Sequence, residues 1–161
     1  MTGTITQPTY QDSIEIAAPP AEVWRMVAEV TRMGEWSPVC HTVEWIGEPA
    51  APAAGARFRG KNRVNGVRWS RECVITEADP GRVCAFSTVF RGQEQTRWRY
   101  RFELAGDRTR VAEEYQIVSI PLWLRALRAV PGVKAKSERD TRWNIGETLA
   151  RLKAAAERSP T

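Results

Sequence analysis

Residues Ser137 to Glu157 read as one long helix with a single stripe to bury, and this stretch constrains the rest of the chain most. Thr141, Ile145, Thr148, Leu149 and Leu152 recur at three- and four-residue spacing, the period of one helix face. Arg142, Glu147, Arg151 and Lys153 occupy the other faces, with Glu147 and Arg151 spaced as a supporting i,i+4 pair. Ser137 has the side chain of an N-cap, and Glu138 and Asp140 would then complement the helix dipole in the first turn. About 21 residues at about 1.5 Å each make roughly 30 Å of helix. A one-faced helix that long requires a broad apolar surface against it, and the preceding chain has the pattern of a sheet.

Tyr10 to Ala17 alternates, with Tyr10, Asp12, Ile14 and Ile16 on one face. Pro19-Pro20 ends this first strand and suits the opening turn of a helix. Val23, Met26, Val27 and Val30 carry that helix to about Val30, and Met33 to Pro38 reads as a second short one. Six strands follow: Val39–Ile46, Ala56–Val64, Val67–Glu77, Arg82–Phe90, Thr96–Leu104 and Thr109–Val118. Asn65-Gly66 marks a tight hairpin, Asp79-Pro80-Gly81 and Gly106-Asp107 mark further turns, and Gly92 to Glu94 marks the turn into the sixth strand. In that strand Trp98, Tyr100, Phe102 and Leu104 alternate with Arg97, Arg99, Arg101 and Glu103, so the arginines are expected to face solvent. Hairpin links imply antiparallel pairing. The expected architecture is α+β: seven strands in a curved antiparallel sheet around the C-terminal helix, with two short helices between strands one and two. Residues 1–9 are expected to be a frayed N-terminus, 10–157 one domain and 158–161 a tail.

Composition narrows the chemistry. A single histidine, His41, excludes a multi-histidine metal site. Cys40, Cys73 and Cys84 are scattered, odd in number and without a Cys-x-x-Cys, which reads as free thiols in a reducing cytoplasm, with no metal and no cofactor. The N-terminus lacks a signal-peptide pattern, and no apolar run is long enough to span a membrane. The net charge of +5 is uneven: Arg125, Arg128, Lys134 and Lys136 lie between Ser119 and Lys136 with no acid among them. The aromatics of strand six lie opposite its arginines, whereas nucleic-acid-binding sheets expose aromatics, so no nucleic-acid partner is expected.

The segments Ala18-Pro-Pro-Ala-Glu-Val-Trp24, Val30-Thr-Arg-Met-Gly-Glu-Trp-Ser-Pro38, Gly55-Ala-Arg-Phe-Arg-Gly60, Glu77-Ala-Asp-Pro-Gly-Arg82, Thr109-Arg-Val111 and Leu149-Ala-Arg-Leu-Lys153 span residues 10–157. Together they resemble the START-like superfamily, the birch-pollen-allergen-type helix-grip fold, and within it the SRPBCC or polyketide cyclase/dehydratase-like proteins. The resemblance implies a cavity between the sheet and the C-terminal helix that takes an apolar or amphipathic small molecule, such as a lipid or polyketide. Some members catalyse aromatic cyclisation or dehydration there, and many have no known reaction; fold alone leaves that choice open.

Within that frame Trp36, Phe58, Trp69, Phe86, Trp98, Tyr100 and Tyr115 would furnish the pocket, or fill it as core. Asn62 shares the phase of Phe58 and Gly60, and Thr141 and Ile145 would face the ligand from the N-terminal half of the helix. Glu113 shares the inner face of strand seven with Val111 and Tyr115, where burial suits a carboxyl to acid/base work. Arg71, in phase with Trp69 and Cys73, could instead neutralise it in a salt bridge, or hold an oxyanion beside it. Leu122 to Val130 combines Leu122, Trp123, Leu124, Leu127 and Val130 with Arg125 and Arg128: either a lid over the cavity mouth or a transient contact with an anionic membrane. The sequence is compatible with a monomer or a homodimer.

Overall fold

The computed structural model describes residues 9–158; the expectations for residues 1–8 and 159–161 lie outside it. Its elements are β1 (Tyr10–Ile16), α1 (Pro20–Ala28), a 3-10 helix (Val30–Glu35), β2 (Cys40–Ile46), β3 (Arg57–Val64), β4 (Val67–Asp79), β5 (Val83–Phe90), β6 (Gln93–Ala105), β7 (Arg108–Ile117), α2 (Leu122–Arg128) and α3 (Val133–Arg158). The strands form one antiparallel sheet in the order β1-β7-β6-β5-β4-β3-β2. This is the expected α+β helix-grip arrangement. Consecutive strands pair throughout β2 to β7, and β1 joins β7, so the two helices after β1 carry the chain from one sheet edge to the other.

The period-two reading of β1 and the helical stripe of α3 meet in the core. Ile16, Val111, Ile145, Leu149 and Leu152 are fully buried together, and α3 packs chiefly on β1. Val23, Trp24, Met26 and Val27 of α1 close the other end, and the Trp24 indole donates to the Val83 carbonyl at 2.7 Å. The 3-10 helix sits tightly against β2: a Cβ at Gly34 would lie 2.1 Å from the backbone oxygen of His41, so only glycine fits.

Three local expectations are corrected. α3 begins at Val133, so Ser137 is no N-cap. Gly132, at φ 86°, breaks the chain before the helix, and the Lys136 N–H already bonds the Gly132 carbonyl. Glu138 and Asp140 therefore lie beyond the first turn and pair with Lys134 and Lys136 instead. Second, β6 starts at Gln93 and the turn is Arg91-Gly92, both at positive φ (50° and 77°). An arginine in left-handed geometry leaves no compositional mark, and a bulge between Thr88 and Val89 shifts the count. The Asn65-Gly66 hairpin, at φ 50° and 81°, has the backbone its sequence signals. Third, Leu104, at the end of β6, is 72% exposed despite its inner phase. The β6 arginines take the outward face as expected, partly covered by ion pairs of Arg97 with Glu94, Arg99 with Glu77 and Arg101 with Glu114.

Candidate functional site

The sheet's concave face, α2 and the N-terminal half of α3 enclose a cavity of about 540 Å³. It exceeds the roughly 300 Å³ needed by a small-molecule site. Arg71, Phe90 and Trp123 line it and are also exposed, so it opens between the β3–β4 hairpin, the β5–β6 hairpin and α2.

Its aromatic wall is a run of ring contacts across the sheet. Phe58 meets Phe86 at 5.3 Å, and behind it Trp45, outside the cavity lining, packs edge-on to Phe58 at 6.2 Å. Phe86 stacks with Trp98 at 6.4 Å, and Trp98 lies 4.6 Å from Tyr115. Alternation along β6 and β7 aims these side chains inward. The same alternation places Glu113 beside Tyr100, because the two are directly opposed in the β6–β7 register. α3 contributes a polar wall through Ser137, Thr141, Asn144 and Thr148. Thr148 Oγ1 donates to Asn144 Oδ1 at 3.3 Å, and Thr88 and Thr96 share a 2.6 Å hydroxyl contact on the sheet side.

Glu113 is the chemical centre of this surface. It is 2% exposed, and the Tyr100 hydroxyl donates to its Oε1 at 2.7 Å. Its Oε2 has no hydrogen-bond partner among the described residues. Burial pushes its pKa up to about 8, against the lowering effect of the Tyr100 bond, with Asp12 adding a smaller upward push. At neutral pH the group is therefore mostly a neutral acid, an O–H donor as well as an acceptor. Burial, followed by the neighbouring Glu113, holds the Tyr100 phenol well above its ordinary value. Tyr115 is raised by burial, with Arg128 pulling the other way. Cys40 and Cys73 also line the cavity, but burial raises their thiols to about 11 and about 12, far from nucleophilic. No group of three or more His, Cys, Asp or Glu among the described residues is arranged to hold a metal.

The family described as polyketide cyclase / dehydrase and lipid transport matches residues 7–157. The chain belongs to this family. Among solved structures it is similar to the Polyketide_cyc-like protein Cgl2372 from Corynebacterium glutamicum: 31% identity, covering 92% of this chain and 90% of that one, at a TM-score of 0.59. It is also similar in fold to the di-domain ARO/CYC StfQ of the steffimycin biosynthetic pathway, at 14% identity and a TM-score of 0.72 over 92% of this chain, which spans half of StfQ. A third likeness in fold is to Ara h 8.0201, at 12% identity and a TM-score of 0.66, covering 93% and 97% of the two chains. No curated protein sequence matches significantly.

In this member of the family, most of the expected residues come together around one cavity. Phe58, Asn62, Trp69, Phe86, Trp98, Tyr100, Tyr115 and Thr141 all line the cavity, as do Glu113 and Arg71. Trp36 and Ile145 do not: they are 3% and 0% exposed within the packed core, Trp36 at the end of the 3-10 helix and Ile145 on the buried stripe of α3. Arg71 does not neutralise Glu113. It sits exposed at the opening, where its guanidinium donates to the Ser70 carbonyl at 3.2 Å. The true partner was readable: counting outward from the Gly106-Asp107 turn sets Tyr100 against Glu113. Sequence reasoning missed Asn144, Ser137 and Thr88, whose small polar side chains carry no pocket signature. As a lid, α2 is partial. Trp123, Leu124 and Arg128 reach the cavity, yet no residue of α2 is buried.

Proposed function

We propose that this chain binds a hydrophobic, oxygen-bearing small molecule, lipid or polyketide-like, in the cavity between the sheet and α3. One observation carries the reading: a neutral buried acid, Glu113, stands on an aromatic wall with Oε2 lacking a partner among the described residues. A buried polar group without a partner is costly. A ligand carbonyl or hydroxyl that accepts from the Glu113 O–H removes that cost, while the rings from Phe58 to Tyr115 take up the flat apolar body. Asn62, Thr141 and Asn144 supply the remaining polar contacts. Native mass spectrometry of the purified protein, followed by titration of a panel of fatty acids, a sterol and an aromatic polyketide, tests this. Saturable one-to-one binding that Trp98→Ala weakens is the expected result. A protein that carries no small molecule and binds no member of the panel would refute it.

The value of about 8 favours a second reading, an enzyme of the cyclase/dehydratase kind. An acid that titrates near neutral pH can donate its proton to a departing hydroxyl, whose C–O electron pair leaves with the oxygen as water; the carboxylate so formed takes the proton from the adjacent carbon, that C–H pair becomes the C=C bond, and the acid is restored. In this reading Tyr115 or Arg71 holds the substrate's oxyanion or hydroxyl, and no metal or cofactor takes part. Unchanged turnover in Glu113→Gln would remove it.

A further inference from the structure

In an antiparallel sheet of sequential hairpins, alternate turns fall at opposite ends. The β3–β4 turn, the β5–β6 turn and the end of β7 therefore share one end, with the cavity opening among them. The segment leading to α2 is tied to that end, because the Val118 and Ser119 amides both bond the Gln95 carbonyl.

The exposed apolar residues gather there. Val64 and Val67 flank the β3–β4 turn, with Val67 63% exposed, and Phe90 caps the β5–β6 turn at 47%. On α2, Leu122 and Trp123 are 81% and 68% exposed. Of the ten large exposed hydrophobics among the described residues, only Leu104 and Trp143 lie outside this end. Exposed apolar surface concentrated in one place marks a contact site.

Arginines without acid partners interleave with them. Arg63 and Arg68 are directly opposed across β3 and β4, and neither forms an ion pair among the described residues. Like charges in that position repel, so the arrangement calls for an external anion. Arg91 lies over the Phe90 ring at 5.3 Å, and Arg125 has no acid partner among the described residues. The acids nearby are already engaged: Glu94 by Arg97, Glu138 and Asp140 by lysines of their own helix.

We propose that this end of the molecule docks on an anionic lipid bilayer, with the opening of the cavity facing the membrane. Charge complementarity selects the anionic surface. Separate apolar tips on two hairpins and a helix, each beside an arginine, suit an interface that deforms around them, with side chains in the acyl boundary and guanidiniums among phosphates. Docking would let an apolar ligand pass between bilayer and cavity without crossing water. That consequence rests on the cavity-binding reading, whereas docking itself does not.

Co-sedimentation of the full chain with vesicles of phosphatidylcholine alone, and of phosphatidylcholine mixed with phosphatidylserine, tests the proposal without any cavity ligand. The protein is expected to partition onto the mixed vesicles and to be released by salt. Arg68→Glu and Arg125→Glu should each weaken partitioning about five-fold or more, and Leu122→Ser several-fold. Leu104→Ser, exposed at the opposite end, should leave it unchanged. Absence of binding to the mixed vesicles overturns the proposal and leaves an acidic protein surface as the partner of this face. Binding that ignores both charge reversals, or that Leu104→Ser weakens equally, also overturns it.

Discussion

Glu113→Gln keeps the shape of the side chain and an acceptor for the Tyr100 hydroxyl, but removes the titrating proton. Folding raises the Glu113 pKa from 4.5 to about 8. Over that interval the native protein holds a proton that the unfolded chain has released, so rising pH favours the unfolded chain and stability falls. At about 1.4 kcal/mol per pH unit, the interval amounts to roughly 4–5 kcal/mol, fully expressed only above the native pKa. The variant carries no such dependence. Urea unfolding of both proteins at a series of pH values isolates the effect, because other titrating groups cancel in the difference. Wild type and variant should be similar at about pH 5, and the variant more stable by roughly 4 kcal/mol at about pH 9. Parallel stability curves, separated by a constant across that range, would refute the claim that this carboxyl is buried and protonated in the native protein.

Tyr100→Phe removes the hydrogen bond that its hydroxyl donates to Glu113. It should cost about 1–3 kcal/mol and move the alkaline loss of stability to higher pH, since that bond holds the Glu113 pKa down; the same urea series reads both. Gly34→Ala drives a Cβ into the His41 carbonyl at 2.1 Å. A loss of about 2 kcal/mol or more is expected by thermal unfolding, and a wild-type melting temperature would mean that the 3-10 helix and β2 are not in register as described. Phe58→Ala, at a core position 1% exposed, should cost about 3–5 kcal/mol. Trp69→Ala, half-buried on the open cavity wall, should cost well under half of that and act mainly on ligand affinity, as denaturant and ligand titrations would separate.

Much of the architecture was present in the amino-acid sequence because its signals are local. Period two in β6, period 3.6 in α3 and the Asn65-Gly66 turn each depend on residues a few positions apart, and sequential hairpins then leave few topologies open. Even the Tyr100–Glu113 pair belonged to this class, since both strands meet at one short turn. What the tertiary structure alone decided depends on residues brought together from far apart. The packing of helices on sheet decided that Trp36 and Ile145 would be core while Trp69 and Thr141 border open space. The same closure left Glu113 without a second partner among the described residues and with its pKa raised, because desolvation is set by everything around a group and not by its neighbours in the chain. The basic amphipathic stretch from Leu122 to Val130 stands out in the sequence, but Val67 and Phe90 do not; only the fold gathers them, with Arg63 and Arg68, around the same opening. The C-terminal helix starts one turn earlier than its sequence pattern indicates, and Ser137 and Asn144 join the expected Thr141 in a polar wall facing the cavity, a role that only the packing of helix on sheet assigns them.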